Sequence, residues 1–216
     1  MATAYLVRHL ETESNAKGLF GDGPLDDVAT ERGFKQASAL SVWWVSTKWD
    51  FDYCFVGDSE RNRKTSEFIV GSEYGFTLGV KCTTALNEQG VGEWSGKSKL
   101  EIDQQLLADW RAGKILPLGG ESDDDFEKRV LGFWKMKALP FLQEGKNLLM
   151  VASGNPIRVI LGHILKTPWR NLLPALVVDN CSITAVKVNK KGECFVGPVN
   201  DTSHLKEVGV TPIPGT

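Results

Sequence analysis

The stretch LVRHLETESN, residues 6 to 15, decides how this chain is read. Its first residues complete a β-type run, AYLVRH, in which a histidine follows an arginine at the carboxyl end of the strand. In open α/β sheets ligands bind at that end, so Arg8 and His9 are the first candidates for chemistry. A single histidine in such a place also serves as a hydrogen-bonded structural group, and the rest of the chain must decide between the two.

Outward from this strand, short β-type runs alternate with amphipathic segments of helical length. That is the pattern of a three-layer α/β/α architecture, with a mostly parallel central sheet and helices on both faces. After a Gly-rich loop around GLFGDGP (18–24), the stretch from Thr30 to Lys48 places Ala37, Leu40 and Trp44 on one helical face. FDYCFVG reads as the second strand, Arg61 to Val70 as a helix, Cys82 to Asn87 as extended chain and Leu100 to Arg111 as a further helix. Ser122 is placed to cap the next helix, with Asp123 to Asp125 in the first turn, where the positive end of the helix dipole favours carboxylates. NLLMVAS is apolar throughout, as a strand buried on both faces should be. Asn155 and Pro156 then read as N-cap and first residue of the helix that follows. SITAVKV and ECFVGPV, on either side of the KKG turn at 190–192, read as a hairpin.

The 216 residues suit one domain over 1–216, large enough to bury a core without metals or disulfides. With 25 basic and 27 acidic residues the formal net charge is -2, so no global field draws nucleic acid or an anionic membrane. The N-terminus MATAYLVRH lacks the apolar core of a signal peptide, and LLMVA is too short to span a bilayer. The expectation is a cytoplasmic protein. Cys54, Cys82, Cys181 and Cys194 are widely spaced and only three histidines are present, so neither a zinc site nor a disulfide framework is suggested; buried free thiols are expected.

The segment at 6–15 closely resembles the LVRHGET signature of the histidine phosphatase (phosphoglycerate-mutase-like) superfamily, and the resemblance recurs in order along the chain. PLDDVATERGFKQA (24–37) is similar to PLTxxGxxQA, SERNRKTSEFI (59–69) to SxLxRAxQTAxxI, and LNEQGVGEWSG (86–96) to LxExxxGxWEG. GGES (119–122) with Arg129, then NCSIT (180–184) and NDTSHL (200–205), also match family segments. The resemblance implies a phosphoglycerate-mutase-like fold and a phosphohistidine mechanism. The residue matching His9 attacks phosphorus, Glu88 donates the proton to the leaving group, and Arg8, Asn15 and Arg61 bind the phosphate. No metal or cofactor is implied, because planar guanidinium groups supply the positive charge. The implied partner is a small phosphorylated substrate or phosphate, and a homodimer is left open. His204 reads as structural or at the pocket edge, and His163 as a packed or half-exposed helix residue.

Two positions depart from the pattern. The family carries a second histidine in VxHGxxIR, and here the motif is VASGNPIR (151–158), which puts Ser153 at the histidine position. A neutral hydroxyl cannot place a cation against the equatorial oxygens of the transferring phosphoryl group. Leu10 stands where the family has glycine, implying a changed loop or a more apolar pocket wall. The leading expectation is a phosphatase-type phosphomonoester hydrolase whose turnover is impaired by Ser153. The alternatives are a phosphoglycerate-mutase-like enzyme, ranked lower because the chain is short and lacks the longer insertions of glycolytic mutases, and a pseudophosphatase acting as a phosphate-ligand or interaction module.

Overall fold

The computed structural model describes residues 1–21, 26–47 and 49–212, with only the backbone for 72–78. Residues 22–25 lie outside the described residues; they hold the end of the Gly-rich loop and the start of the PLDDVATERGFKQA segment. Lys48 and 213–216 lie outside them too.

Six strands form one mixed sheet: β1 (Ala2–Arg8), β2 (Tyr53–Gly57), β3 (Lys81–Thr83), β4 (Leu148–Ala152), β5 (Ile183–Val188) and β6 (Cys194–Val196), in the order β3-β2-β4-β1-β5-β6. The β1–β4, β2–β4 and β2–β3 pairs are parallel, while β5 pairs antiparallel with both β1 and β6. The expected hairpin is thus present and supplies the antiparallel edge.

Period-two alternation along the strands divides the core. Ala4, Leu6, Leu148, Met150 and Val186 face one side, where they pack with Phe126, Val130, Trp134, Leu142 and Ile160. The helices of that side are α5 (Asp123–Phe133), α6 (Leu139–Gln143) and α7 (Gly154–Leu165), with one wide π-helical turn, Trp134–Ala138, joining α5 to α6. Tyr5, Val7, Leu149, Val151 and Ile183 face the other side, against Ala37, Leu40, Trp44 and Val70. These belong to α2 (Glu31–Thr47) and α3 (Glu60–Leu78), the latter broken at Gly71, whose φ is 70°. Both faces are therefore covered, as the sequence pattern predicts. A short α1 (Glu13–Lys17) follows β1, and α4 (Gln104–Arg111) lies outside the sheet layers. There it shares a third, smaller apolar cluster with Phe20, Val91 and Trp94.

Two helix starts differ from expectation. The helix predicted from Leu100 begins at Gln104, because the carboxylate of Asp103 accepts the amides of Gln105 and Leu106 and sets the cap there. In α7 the N-cap is Ser153, two residues before the expected Asn155. Of the four thiols, Cys54 and Cys181 are buried, but Cys82 is exposed on edge strand β3 and Cys194 is half-buried on edge strand β6. The expectation of four buried thiols fails for the two on sheet edges. Among the described residues no helix is long and apolar enough to cross a membrane.

Candidate active site

The site grows from the register of β1 against β4, which pairs Arg8 with Ala152. The His9 amide donates to the Ala152 carbonyl at 3.0 Å, so positions 9 and 153 leave adjacent strands side by side. Thr12 then caps α1: its hydroxyl accepts the Asn15 amide and Asn15 Oδ1 accepts the Thr12 amide, the reciprocal arrangement of a capping box. Asn180 Nδ2 donates to Asn15 Oδ1 and to the His9 carbonyl, both at 2.9 Å. With Oδ1 engaged, the donor end of the Asn15 amide is the end left for a ligand. Behind this loop α2 approaches very closely. A Cβ on Gly33 would lie 2.2 Å from the Glu11 carbonyl oxygen, so only glycine fits there. The Thr30 hydroxyl and Arg32 hold the Glu11 carboxylate at 2.6 and 2.9 Å.

His9 is 3 % exposed, and its Nδ1 lies 2.8 Å from the Leu10 carbonyl oxygen. A carbonyl only accepts, so Nδ1 carries the proton and Nε2 presents its lone pair. Burial, followed by the charges of Arg61 and Arg8, holds the imidazole pKa well below its ordinary value, and the ring is neutral near pH 7.

Arg8, His9, Asn15, Arg61 and Glu88 all line one cavity of about 540 Å³. Arg8 Nη1 donates to the Val178 carbonyl at 2.6 Å, and its Nε is buried without an acceptor among the described residues. Arg61 forms an ion pair with Asp26, which also lines the cavity, and lies 3.8 Å from Asp27. Glu88 accepts the Gln89 amide on Oε1 at 2.9 Å and the Asn155 amide, in the first turn of α7, on Oε2 at 3.3 Å. Ser153 is fully buried and does not line the cavity. Its Oγ accepts from Arg61 Nη2 at 3.4 Å, so it backs the site instead of facing it.

Leu10 corrects the expectation of an apolar pocket wall. Its side chain is fully buried in the α2-side core, and its amide donates to Thr65 Oγ1 at 2.8 Å. His204 lies outside the cavity lining, its Nε2 3.0 Å from the Cys181 carbonyl and its ring against Trp43. His163 is exposed on α7 and also outside the lining.

Sequence reasoning missed three cations of the lining, Lys99, Arg111 and Arg158. Burial, then Arg8 and Arg111, lowers the Lys99 pKa; burial, then Arg8, lowers that of Arg158 to about 10. The available signal for Arg158 was its place one helical turn after Gly154, on the same face. It also missed why GGES and Arg129 belong together. Arg129 grips Glu121 through Nε and Nη2 at 2.6 and 2.8 Å and donates to the carbonyls of Thr84, Ala85, Asn87 and Glu88, clamping the loop that carries Glu88. Among the described residues no cluster of His, Cys, Asp and Glu is placed to hold a metal ion.

Fold and cavity together define an α/β protein with an arginine- and histidine-lined pocket at the carboxyl end of its parallel strands. Residues 4–201 match the model of the histidine phosphatase superfamily (branch 1), and the chain belongs to that superfamily. It is 33% identical over 171 residues to the 2,3-bisphosphoglycerate-dependent phosphoglycerate mutase of Cytophaga hutchinsonii, covering 77% of this chain and 78% of the mutase. The corresponding mutase of Xanthobacter autotrophicus is 32% identical over 161 residues, covering 72% of this chain and 77% of the mutase. Among solved structures, YhfR of Bacillus stearothermophilus superposes with a TM-score of 0.81 at 24% identity, covering 95% of this chain and all of its own. The alpha-ribazole phosphatase of Shigella flexneri superposes with a TM-score of 0.74, also at 24% identity, covering 92% of this chain and 96% of that one. At these identities the structural matches bear on the fold alone.

Proposed function

We infer that the chain is a phosphoryl-transfer enzyme of the phosphatase type, which forms a phosphohistidine on His9 and hydrolyses it. The observation that carries this reading is the neutral His9 ring, Nε2 unprotonated, in one cavity with Arg8, Arg61 and Glu88. In the first step the Nε2 lone pair forms a bond to phosphorus while the ester P–O bond breaks, and Glu88 in its acid form protonates the leaving alkoxide. Glu88, now a carboxylate, then takes a proton from water. The water oxygen bonds to phosphorus, the P–N bond breaks, and phosphate and free His9 result. The guanidinium groups of Arg8 and Arg61 and the Asn15 amide hold the equatorial oxygens. Ser153, at the position where the family carries histidine, brings a hydroxyl and no charge, and turnover is slow for that reason.

Lys99, Arg111 and Arg158 in the same lining favour a substrate with a second anionic group besides its phosphate. This is also the observation that supports a mutase reading, alongside the similarity to phosphoglycerate mutases over comparable fractions of both chains, which removes chain length as a distinguishing feature. The test measures aryl phosphate hydrolysis and 3-phosphoglycerate isomerisation primed by 2,3-bisphosphoglycerate, in the native chain and in Ser153→His. Hydrolysis that rises at least about 10²-fold in Ser153→His supports the phosphatase reading. Isomerisation without hydrolysis supports the mutase. Activity of neither kind in either protein overturns both in favour of a phosphate-binding module.

A further inference from the structure

Neither spare histidine can supply the charge that Ser153 lacks, since His204 and His163 both lie outside the cavity lining. Arg158 lies within it. A Cβ placed on Gly154, the first residue of α7, would meet Arg158 Nη1 at 3.2 Å and Arg8 Nε at 3.7 Å, so the two guanidinium groups converge on one point beside this glycine, one reaching it from the end of β1 and the other from one turn along α7. The Arg158 fork is fixed on one side. Nε and Nη2 both donate to the Leu176 carbonyl at 3.2 and 3.0 Å, and Nη1 donates to Asn155 Oδ1 at 2.9 Å. Of five N–H groups this leaves one on Nη1 and one on Nη2 without a protein acceptor among the described residues, the paired geometry that matches two oxygens of a phosphate. Arg8 Nε, near the same point beside Gly154, is a buried donor that also lacks an acceptor among the described residues. Burial first and then the neighbouring Arg8 lower the Arg158 pKa against the opposing pull of Glu88, yet an arginine at about 10 is still protonated at neutral pH.

We propose that Arg158 is a catalytic residue, its guanidinium contacting the phosphoryl group during transfer and supplying the positive charge that the serine at position 153 does not. The proposal rests on the phosphoryl-transfer reading above. It differs from a role in holding a remote anionic group of the substrate, because it requires Arg158 to act on ligands that have no such group.

The experiment therefore uses p-nitrophenyl phosphate and orthovanadate, which carry a single anionic centre. Arg158→Gln and Arg158→Lys are made in the native chain and in Ser153→His, and kcat and the vanadate Kd are measured for each. In the native background Arg158→Gln lowers kcat by roughly 10²-fold and weakens vanadate in parallel, while Arg158→Lys, which keeps the charge but not the fork, loses less of both than Arg158→Gln. In Ser153→His the same substitution costs less than about tenfold, because the two cations are redundant and their effects do not add. Equal losses in both backgrounds, or unchanged kcat and vanadate affinity in Arg158→Gln, overturn the proposal. If the native chain does not turn over, vanadate affinity alone decides by the same comparison. His9→Ala tells this failure from that of the underlying reading: hydrolysis that survives it refutes the phosphohistidine route, whatever Arg158 does.

Discussion

Nδ1 of His9 donates to the carbonyl of Leu10 at 2.8 Å, a bond between a ring and the residue next to it that fixes which nitrogen is free. Since burial and two arginines disfavour the imidazolium, the unliganded protein keeps Nε2 unprotonated across the neutral range. The folded pKa lies below the unfolded one of about 6.5, so between them the unfolded chain binds more protons and stability falls as pH drops. Against a His9→Gln reference, the native chain should lose more stability in denaturant unfolding as the pH falls from 7.5 to 5.5. Parallel losses in the two proteins would mean that His9 titrates normally.

Arg61→Ala should weaken inorganic phosphate binding by roughly 10- to 100-fold, the value of charge-assisted hydrogen bonds at about 1.5 to 3 kcal/mol. The Asp26 carboxylate, which pairs with Arg61 in the same lining, then faces the phosphate without that partner. Adding Asp26→Asn should recover part of the loss. Isothermal titration checks both, and unchanged affinity in Arg61→Ala removes it from the phosphate site.

Arg129 does not itself line the cavity, yet it holds four carbonyls of the loop that ends in Glu88. Arg129→Met should reduce kcat by roughly 10²-fold through misplacement of the proton donor, with phosphate affinity nearly unchanged. Arg129→Lys should not rescue it, because a point charge cannot replace the fork. A loss of affinity equal to the loss of rate would point to general collapse of the pocket.

Leu10→Ala removes a fully buried side chain and should cost about 2 to 5 kcal/mol in urea unfolding. A cost below about 1 kcal/mol would be inconsistent with its place in the core.

The sheet and its two helical layers were legible because short apolar β-type runs alternate with amphipathic segments of helical length, while the division of strand residues between the cores, Tyr5 and Val7 to one and Ala4 and Leu6 to the other, is not marked by any polar alternation. His9, Arg8, Asn15, Arg61 and Glu88 were legible as ordered motifs, and the cavity brings them together. Ser153 was legible by position but not by orientation: its burial follows from the β4 register, which no motif encodes. Lys99 and Arg111 reach the cavity through the path of the chain around α4, and isolated cations on such a path look like solvated surface residues in the sequence. Leu10 misled because glycine at that place suggests a backbone requirement, whereas a β-strand end can turn a large side chain into the core.

The wall that carries α4 is assembled on Phe20, Trp94, Trp110, Val91 and Leu107, with Arg170 stacked between Trp110 and Trp169 at 4.9 and 4.7 Å. None of these residues belongs to the two cores that flank the sheet except Trp169. A change of side chains in this wall would therefore reshape the mouth of the cavity while leaving the packing that supports His9, Arg8 and Arg61 intact.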